Sequence, residues 1–341
     1  MAFRDIKYKN KDLTIHKSIT TPHFNEKTVL VTSTWDYVDL WLKRAGKKDA
    51  RFFWNQARSF YDATKMLPKT SAPLTAYYCF LNATKALLLA KEVKFSDEHG
   101  VSGFTKSGHT SLSNESVKFK TSGILPALCR HLGEPADETI YTLKDLLYNL
   151  PNIHRAFKLT YSSDTELFIP LNNPKIVKSV KTNEAWFCAE VTNQYITNHT
   201  TNKLPKEFEK DAGIIDRFTI RATKRFTWTP GQTSANLTKY KKYHTKLRKH
   251  IYYINGTQKL WYLKRGGNIS GIIPRSSMTI AFAAMHKLSE MARYEPNKLS
   301  RHFDCQHNWL LSEFISSASS QFIDEISSEL TGHEFMPPSR N

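Results

Sequence analysis

With 341 residues, 40% of them hydrophobic and 12% aromatic, the chain is too apolar to be disordered and long enough for a large core, built as one domain with appendages or as two. No apolar run approaches the roughly 20 residues that cross a bilayer, and the opening MAFRDIKYKN has no signal-peptide hydrophobic region, which points to the cytoplasm and to no membrane span. The formal charge of +18 suggests a polyanionic partner, and the isolated Cys79, Cys129, Cys188 and Cys305, with no C-x-x-C pair, read as free, mostly buried thiols.

In chain order, residues 1–33 are polar and β-leaning, a packing arm with one strand candidate at 28–32. Ser33 or Thr34 caps a short helix in which Trp35, Val38 and Trp41 or Leu42 recur at helical spacing and which Gly46 ends. Asp49 caps a second helix over 50–67. Its apolar face carries Phe53, Trp54, Ala57 and Phe60, while Arg51, Arg58 and Lys65 line the other side, as a solvated face or as a second line of phosphate contacts. After Pro73 a helix runs toward Gly100 with apolar or small residues nearly all round, leaving Thr75, Asn82, Lys85 and Glu92 on one narrow strip. Such a helix must be enclosed, so it is the predicted centre of the core.

Beyond His99 the chain is rich in Gly, Ser and Thr, with a strand at 117–120 and His109 as an ordinary surface histidine. Short helices are predicted over 123–133 and 142–150, and strands at 157–161, 167–170, 185–191 and 218–229. HIYYINGTQKLWYL, residues 250–263, is two aromatic and β-branched runs around Asn255-Gly256, which fits a hairpin with a two-residue turn. A helix from Ser276 and a last helix over 308–330, stopped by Gly332, complete the core, followed by a short mobile tail.

The charge is regional. Residues 217–265, 49 in all, hold 13 Lys or Arg and no Asp or Glu, which leaves +5 for the other 292. Nucleic acid is the first candidate partner and an anionic membrane surface the second. Lys224, Arg225, Lys239, Lys241, Lys242, Lys246, Arg248 and Lys249 are the candidate phosphate contacts. The neighbouring Phe226, Trp228, Tyr240, Tyr243, Tyr252, Tyr253, Trp261 and Tyr262 offer flat faces on which bases stack, unless they all face the core. There is no P-loop, GxGxxG, GxSxG or HExxH, and no His and carboxylate cluster at metal spacing. No cofactor or metal is therefore expected, and Asp324, Glu325 and Glu329 read as the exposed face of the last helix.

Four segments carry a resemblance. The Tyr-rich helix with Asn82 to Ala86 and then His99-Gly100, the SGILPAL run at 122–128, the TLKDLLYNLPNI run at 142–153 and Met-Ala-Arg-Tyr-x-Pro at 291–296 resemble the YaaC-like protein family, which informs the fold more than the function. Arg301 and His307 are similar to the R-x4-6-H motif of the helical HEPN ribonucleases. That resemblance implies that His307 moves a proton at the ribose 2′-hydroxyl or the leaving oxygen, while Arg301 stabilises charge on the phosphate without a metal. Otherwise Arg301 is a solvated charge and His307 a helix-start residue.

The reading is an α+β protein. An arm (1–33) precedes a predominantly helical core (34–100 and 276–341), interrupted by a β-rich region with the basic hairpin (101–275). Its expected function is nucleic-acid binding within a larger cytoplasmic assembly with a partner protein or further copies of itself, host defence against foreign nucleic acid being one setting. The alternatives are a metal-independent ribonuclease using Arg301 and His307, and a protein–protein adaptor docking through the hairpin.

Overall fold

The structure, a computed structural model, describes residues 3–192, 195, 202–214, 217–256 and 259–337. The first helices are α1 (Thr34–Arg44), α2 (Lys48–Lys65) and α3 (Ala72–Ala90). Ser33 caps α1 by accepting from the Asp36 N–H. Helix α2 starts earlier than Asp49 requires: Lys47 is its cap residue, with no side-chain cap bond, and Asp49 falls in the first turn near the positive helix end. Arg51, Arg58 and Lys65 are each matched by an aspartate, Asp39, Asp36 and Asp62, so this stripe is a neutralised face rather than a line of free cations.

Next come α4 (Ile124–Leu132), α5 (Leu143–Tyr148) and α6 (His154–Thr160), then α7 (Thr233–Leu247), α8 (Ser277–Tyr294), α9 (Pro296–Phe303) and α10 (Asn308–Thr331). Of residues 157–161, expected as a strand, the first four belong to α6 and Tyr161 caps its C-terminal end. Five residues are too few to separate the two periodicities, and here Ala156 and Phe157 reach the core together from one helical turn. As its all-round apolarity demands, α3 is central, packed against α2, α4, α8 and α10, with Phe80 stacked on Phe322 of α10 at 4.0 Å. Its polar strip is satisfied locally: Asn82 donates to the Tyr78 carbonyl and Lys85 pairs with Asp97.

A second core lies between α7 and an eight-stranded antiparallel sheet. Its main order is Phe208–Lys210, Thr219–Ala222, Glu184–Val191, Phe168–Ser179, Leu260–Lys264 and Ile251–Ile254. Phe3–Asp5 adds to the edge of the Phe168–Ser179 strand, and Phe226–Thr227 to Glu184–Val191. The predicted hairpin is the last pair of this sheet, but Ile254 opposes Leu260, so five residues rather than two join its strands. A three-stranded sheet of Val101–Thr105, Glu115–Phe119 and Ile140–Thr142 lies beside α8. The segment after Gly332 is not loose: Phe335–Met336 pairs in parallel with Val29–Leu30, and Phe335 is buried.

Helix α10 departs most from expectation. Asp324, Glu325 and Glu329 are buried, because residues 17–20, the hairpin and α8 cover that face. Each carboxylate has donors: Lys17 and Tyr253 for Asp324, Ser277 and Gln321 for Glu325, and the N–H groups of Ile19 and Thr20 for Glu329. Among the described residues no helix is long and apolar enough to cross a membrane.

Candidate functional site

Helix α7 turns the sequence NLTKYKKYHTKL into a buried face and a lysine face. Asn236, Tyr240, Tyr243, His244 and Leu247 recur at helical spacing and are buried against the sheet. Lys239, Lys242 and Lys246 form the adjacent face, and Lys224, Arg225 and Phe226 close a cleft of about 180 Å³ over it. Tyr243 holds the two sides together, its hydroxyl accepting from the Phe187 N–H at 3.0 Å and donating to the Lys224 carbonyl at 3.1 Å. Arg225 is paired with Glu184 and lies over the Trp186 ring. Lys224, Lys239, Lys242 and Lys246 are exposed and form no ion pair with any described residue. Glu207 is the one carboxylate among the described residues lining the cleft.

Five of the eight proposed phosphate contacts thus converge, and three do not. Lys241 and Lys249 are exposed but outside this cleft, Lys249 lying beside the Gly133 carbonyl. Arg248 is buried under the hairpin, where its guanidinium donates to the Ile251 and Lys17 carbonyls and faces the Tyr253 and Trp261 rings. It cannot reach an external phosphate, because the guanidinium is enclosed. Tyr240, Tyr243, Tyr252, Tyr253 and Trp261 are buried too, so they are core residues and not stacking platforms. Phe226 keeps a partly exposed ring at the cleft.

A second polar cluster surrounds Glu115 in the Glu115–Phe119 strand. It is 1% exposed and accepts from Thr105 Oγ1 at 2.7 Å and Lys287 Nζ at 3.0 Å; His302 Nε2 lies at 3.3 Å and Lys298 Nζ at 3.7 Å. Burial alone would raise its carboxyl, but the bonds from His302 and Thr105 and the Lys287 charge hold it at about 2. His302 Nδ1 lies 2.8 Å from His307 Nε2, which completes a carboxylate–imidazole–imidazole chain. Burial and the neighbouring His302 lower His307 to about 4.

Arg301, one residue along α9, faces outward with Lys298 and His109 onto an open groove of about 700 Å³. His307 is buried behind His302 and is not among the residues lining that groove. The structure therefore puts Arg301 at the surface and His307 one imidazole behind it, and no hydrogen bond joins the pair among the described residues. Glu115 and Lys287 lie far from the R-x5-H segment in the chain, and no local pattern marked them.

His23, Glu26 and His333 form the one group of three or more His, Cys, Asp or Glu side chains at metal-binding separation among the described residues. No spacing in the sequence marks this group, because its third member comes from the far end of the chain. Burial raises the Cys129 and Cys188 thiols to about 12 and keeps them inert.

Fold and sites together define an α+β protein that carries a lysine-lined cleft on its sheet-and-α7 core and a buried imidazole chain beside an open groove on its helical core. The chain belongs to the YaaC-like protein family, whose model matches residues 17–330. No curated protein and no solved structure matches it.

Proposed function

We propose that this protein binds nucleic acid through its phosphate backbone, in the cleft between α7 and the turn at Lys224 and Arg225, as a cytoplasmic component of a larger assembly. The observation that supports this reading is the convergence, among the described residues, of four exposed lysines without ion-pair partners on a cleft with a single carboxylate. Such a face gains by releasing the counterions condensed on a polyanion. With most nearby aromatics in the core, base stacking contributes little, so binding follows phosphate density and duplexes compete well with single strands. The test is electrophoretic mobility of labelled duplex DNA, single-stranded DNA and single-stranded RNA at two salt concentrations, for the wild type and for a Lys239→Glu, Lys242→Glu, Lys246→Glu variant. Salt-sensitive shifts lost in the variant support the reading; equal shifts in both proteins remove it.

A second reading rests on the Glu115–His302–His307 chain. A carboxylate that orients one imidazole against another is an arrangement able to relay a proton, and Arg301 on the adjoining groove is placed to meet a phosphate. This is the metal-independent ribonuclease, with the proton passing between His307 and the groove through His302 and then Glu115, the member of the chain that lines it. RNA shortened on a denaturing gel in the presence of EDTA, and left intact by Arg301→Ala and by His307→Gln, is its expected signature.

A further inference from the structure

We propose that His23, Glu26 and His333 bind a divalent transition metal of the zinc class, which clips the N-terminal segment to the C-terminal end of α10. The Glu26 carboxylate stands between the two imidazoles: Oε2 is 2.9 Å from His333 Nδ1 and Oε1 is 3.6 Å from His23 Nδ1. One ligand atom from each residue lies within 4.8 Å of the others. In a tetrahedral zinc site, with bonds of about 2.0–2.1 Å, donor atoms are about 3.3 Å apart, so the observed spacings bracket the required one. Two imidazoles and one carboxylate favour zinc, cobalt, nickel or copper over magnesium or calcium, and three protein ligands leave a position for water.

The backbone holds the three residues ready. The His23 N–H donates to the Gly332 carbonyl at 3.0 Å, the Glu26 N–H to the His23 carbonyl at 3.2 Å, and the His333 N–H to Thr331 Oγ1 at 3.2 Å. Gly332 is left-handed, with φ +78°, and a Cβ there would meet the Thr21 carbonyl at 2.6 Å and the His23 ring at 3.0 Å. That close approach is what seats His23 at the end of α10, where the partial negative charge of the helix terminus also favours a cation. Tyr37 Oη lies 3.5 Å from His333 Nδ1, and Lys11 binds the backbone carbonyl of Glu26, leaving its carboxylate available. His23 and Glu26 are exposed and His333 is half-buried, so an ion has an open path in.

The experiment uses the full chain stripped with EDTA and titrated with zinc against a chromophoric chelator, with cobalt absorption as a second readout. One equivalent of zinc is expected to bind with micromolar or tighter Kd. His23→Ala and Glu26→Gln, both at exposed positions, are each expected to weaken it by more than about 10-fold, since even outer partners of a metal ligand are worth 10- to 100-fold. His109→Ala, on a distant loop, leaves it unchanged. Zinc at about 100 times the wild-type Kd raises the melting temperature of the wild type by about 4 °C and that of His23→Ala by at most about 2 °C. Absence of micromolar binding, or equal binding by the wild type and both ligand variants, overturns the assignment.

Discussion

Glu329→Gln removes a charge that the fold has surrounded with donors. Glu329 is 1% exposed and accepts from the Ile19 and Thr20 N–H groups at 2.6 and 2.9 Å, from the Ser18 hydroxyl at 3.1 Å and from the Thr20 hydroxyl, with His131 Nε2 at 3.5 Å. Burial alone would raise its carboxyl, but the bonds from His131 and Thr20 outweigh it and hold the group at about 2, against an ordinary 4.5. A folded value below the unfolded one means stability fully present above pH 4.5 and lost as pH falls toward 2. At about 1.4 kcal/mol for each pH unit between the two values, the carboxylate contributes roughly 3 kcal/mol near neutrality. Glutamine cannot accept from all of these donors and turns its own NH₂ toward one of them, so the variant loses about that amount. With an unfolding entropy of about 2.1 cal/mol/K per residue, that is a melting temperature about 4 °C lower for a chain of this length. Scanning calorimetry of both proteins at pH 7 and pH 3 checks it. The gap should fall to less than half at pH 3, where the wild type has lost most of the same contribution. Equal melting temperatures at pH 7, or a gap that does not narrow in acid, would refute the reasoning.

Glu325, one turn earlier, has the opposite sign: burial raises its carboxyl to about 7 against the bonds from Gln321 and Ser277. Its contribution, present in the protonated form below about pH 4.5, is lost as pH rises through 7, so Glu325→Gln should be more stable than the wild type at pH 8, by about 1–2 kcal/mol in urea unfolding, and similar at pH 5. Lys17→Met leaves Asp324 buried without its cation and should cost about 3–5 kcal/mol, much of it recovered when Asp324→Leu is added; a double-mutant cycle in urea reads this, and additive losses would contradict it. Gly123, at φ +114°, faces Gly100 so closely that a Cβ would lie 2.6 Å from the Gly100 backbone, so Gly123→Ala should lose about 2–4 kcal/mol or fail to accumulate in soluble form.

What could be read from the sequence follows a physical division. Helices α8 and α10 were legible because their buried residues recur at helical spacing, α3 because it is apolar nearly all round, and the Ser33 cap because its partner, Asp36, is three residues away. The face of α10 was misread for the reason that α10 was found. Periodicity assigns Asp324, Glu325 and Glu329 to a polar side, but whether that side meets water depends on residues 17–20 and on the hairpin, far away in the chain. The same limit hid the Glu115–His302 contact and the meeting of His23 with His333. On α7 the lysine cluster was visible as composition. The split between Lys239, Lys242 and Lys246 on the cleft and Arg248 inside required knowing which helical face the sheet covers.

That split changes the valence the protein brings to a polyanion. Of the 13 cations in residues 217–265, Arg217, Arg221, Arg225 and Lys259 are paired with Glu190, Glu209, Glu184 and Glu334. Arg248 and Lys264 are buried, and Arg265 is half-buried and feels Glu166. Lys224, Lys239, Lys241, Lys242, Lys246 and Lys249 remain, and four of these line the cleft. Each phosphate neutralised on duplex DNA contributes about −0.9 to the slope of log K against log salt, so four contacts give about −3.6 and the whole stretch would give about −12. Between 50 and 200 mM salt the first slope weakens binding about 150-fold and the second about ten-million-fold, a difference that fluorescence anisotropy with a labelled duplex resolves easily. Lys242→Glu should make the slope shallower by about 1, and the triple variant at 239, 242 and 246 should flatten most of it. A slope steeper than about −6 would bring Lys241, Lys249 and the paired arginines into the contact. A slope that the triple variant leaves intact would move the polyanion off α7 altogether.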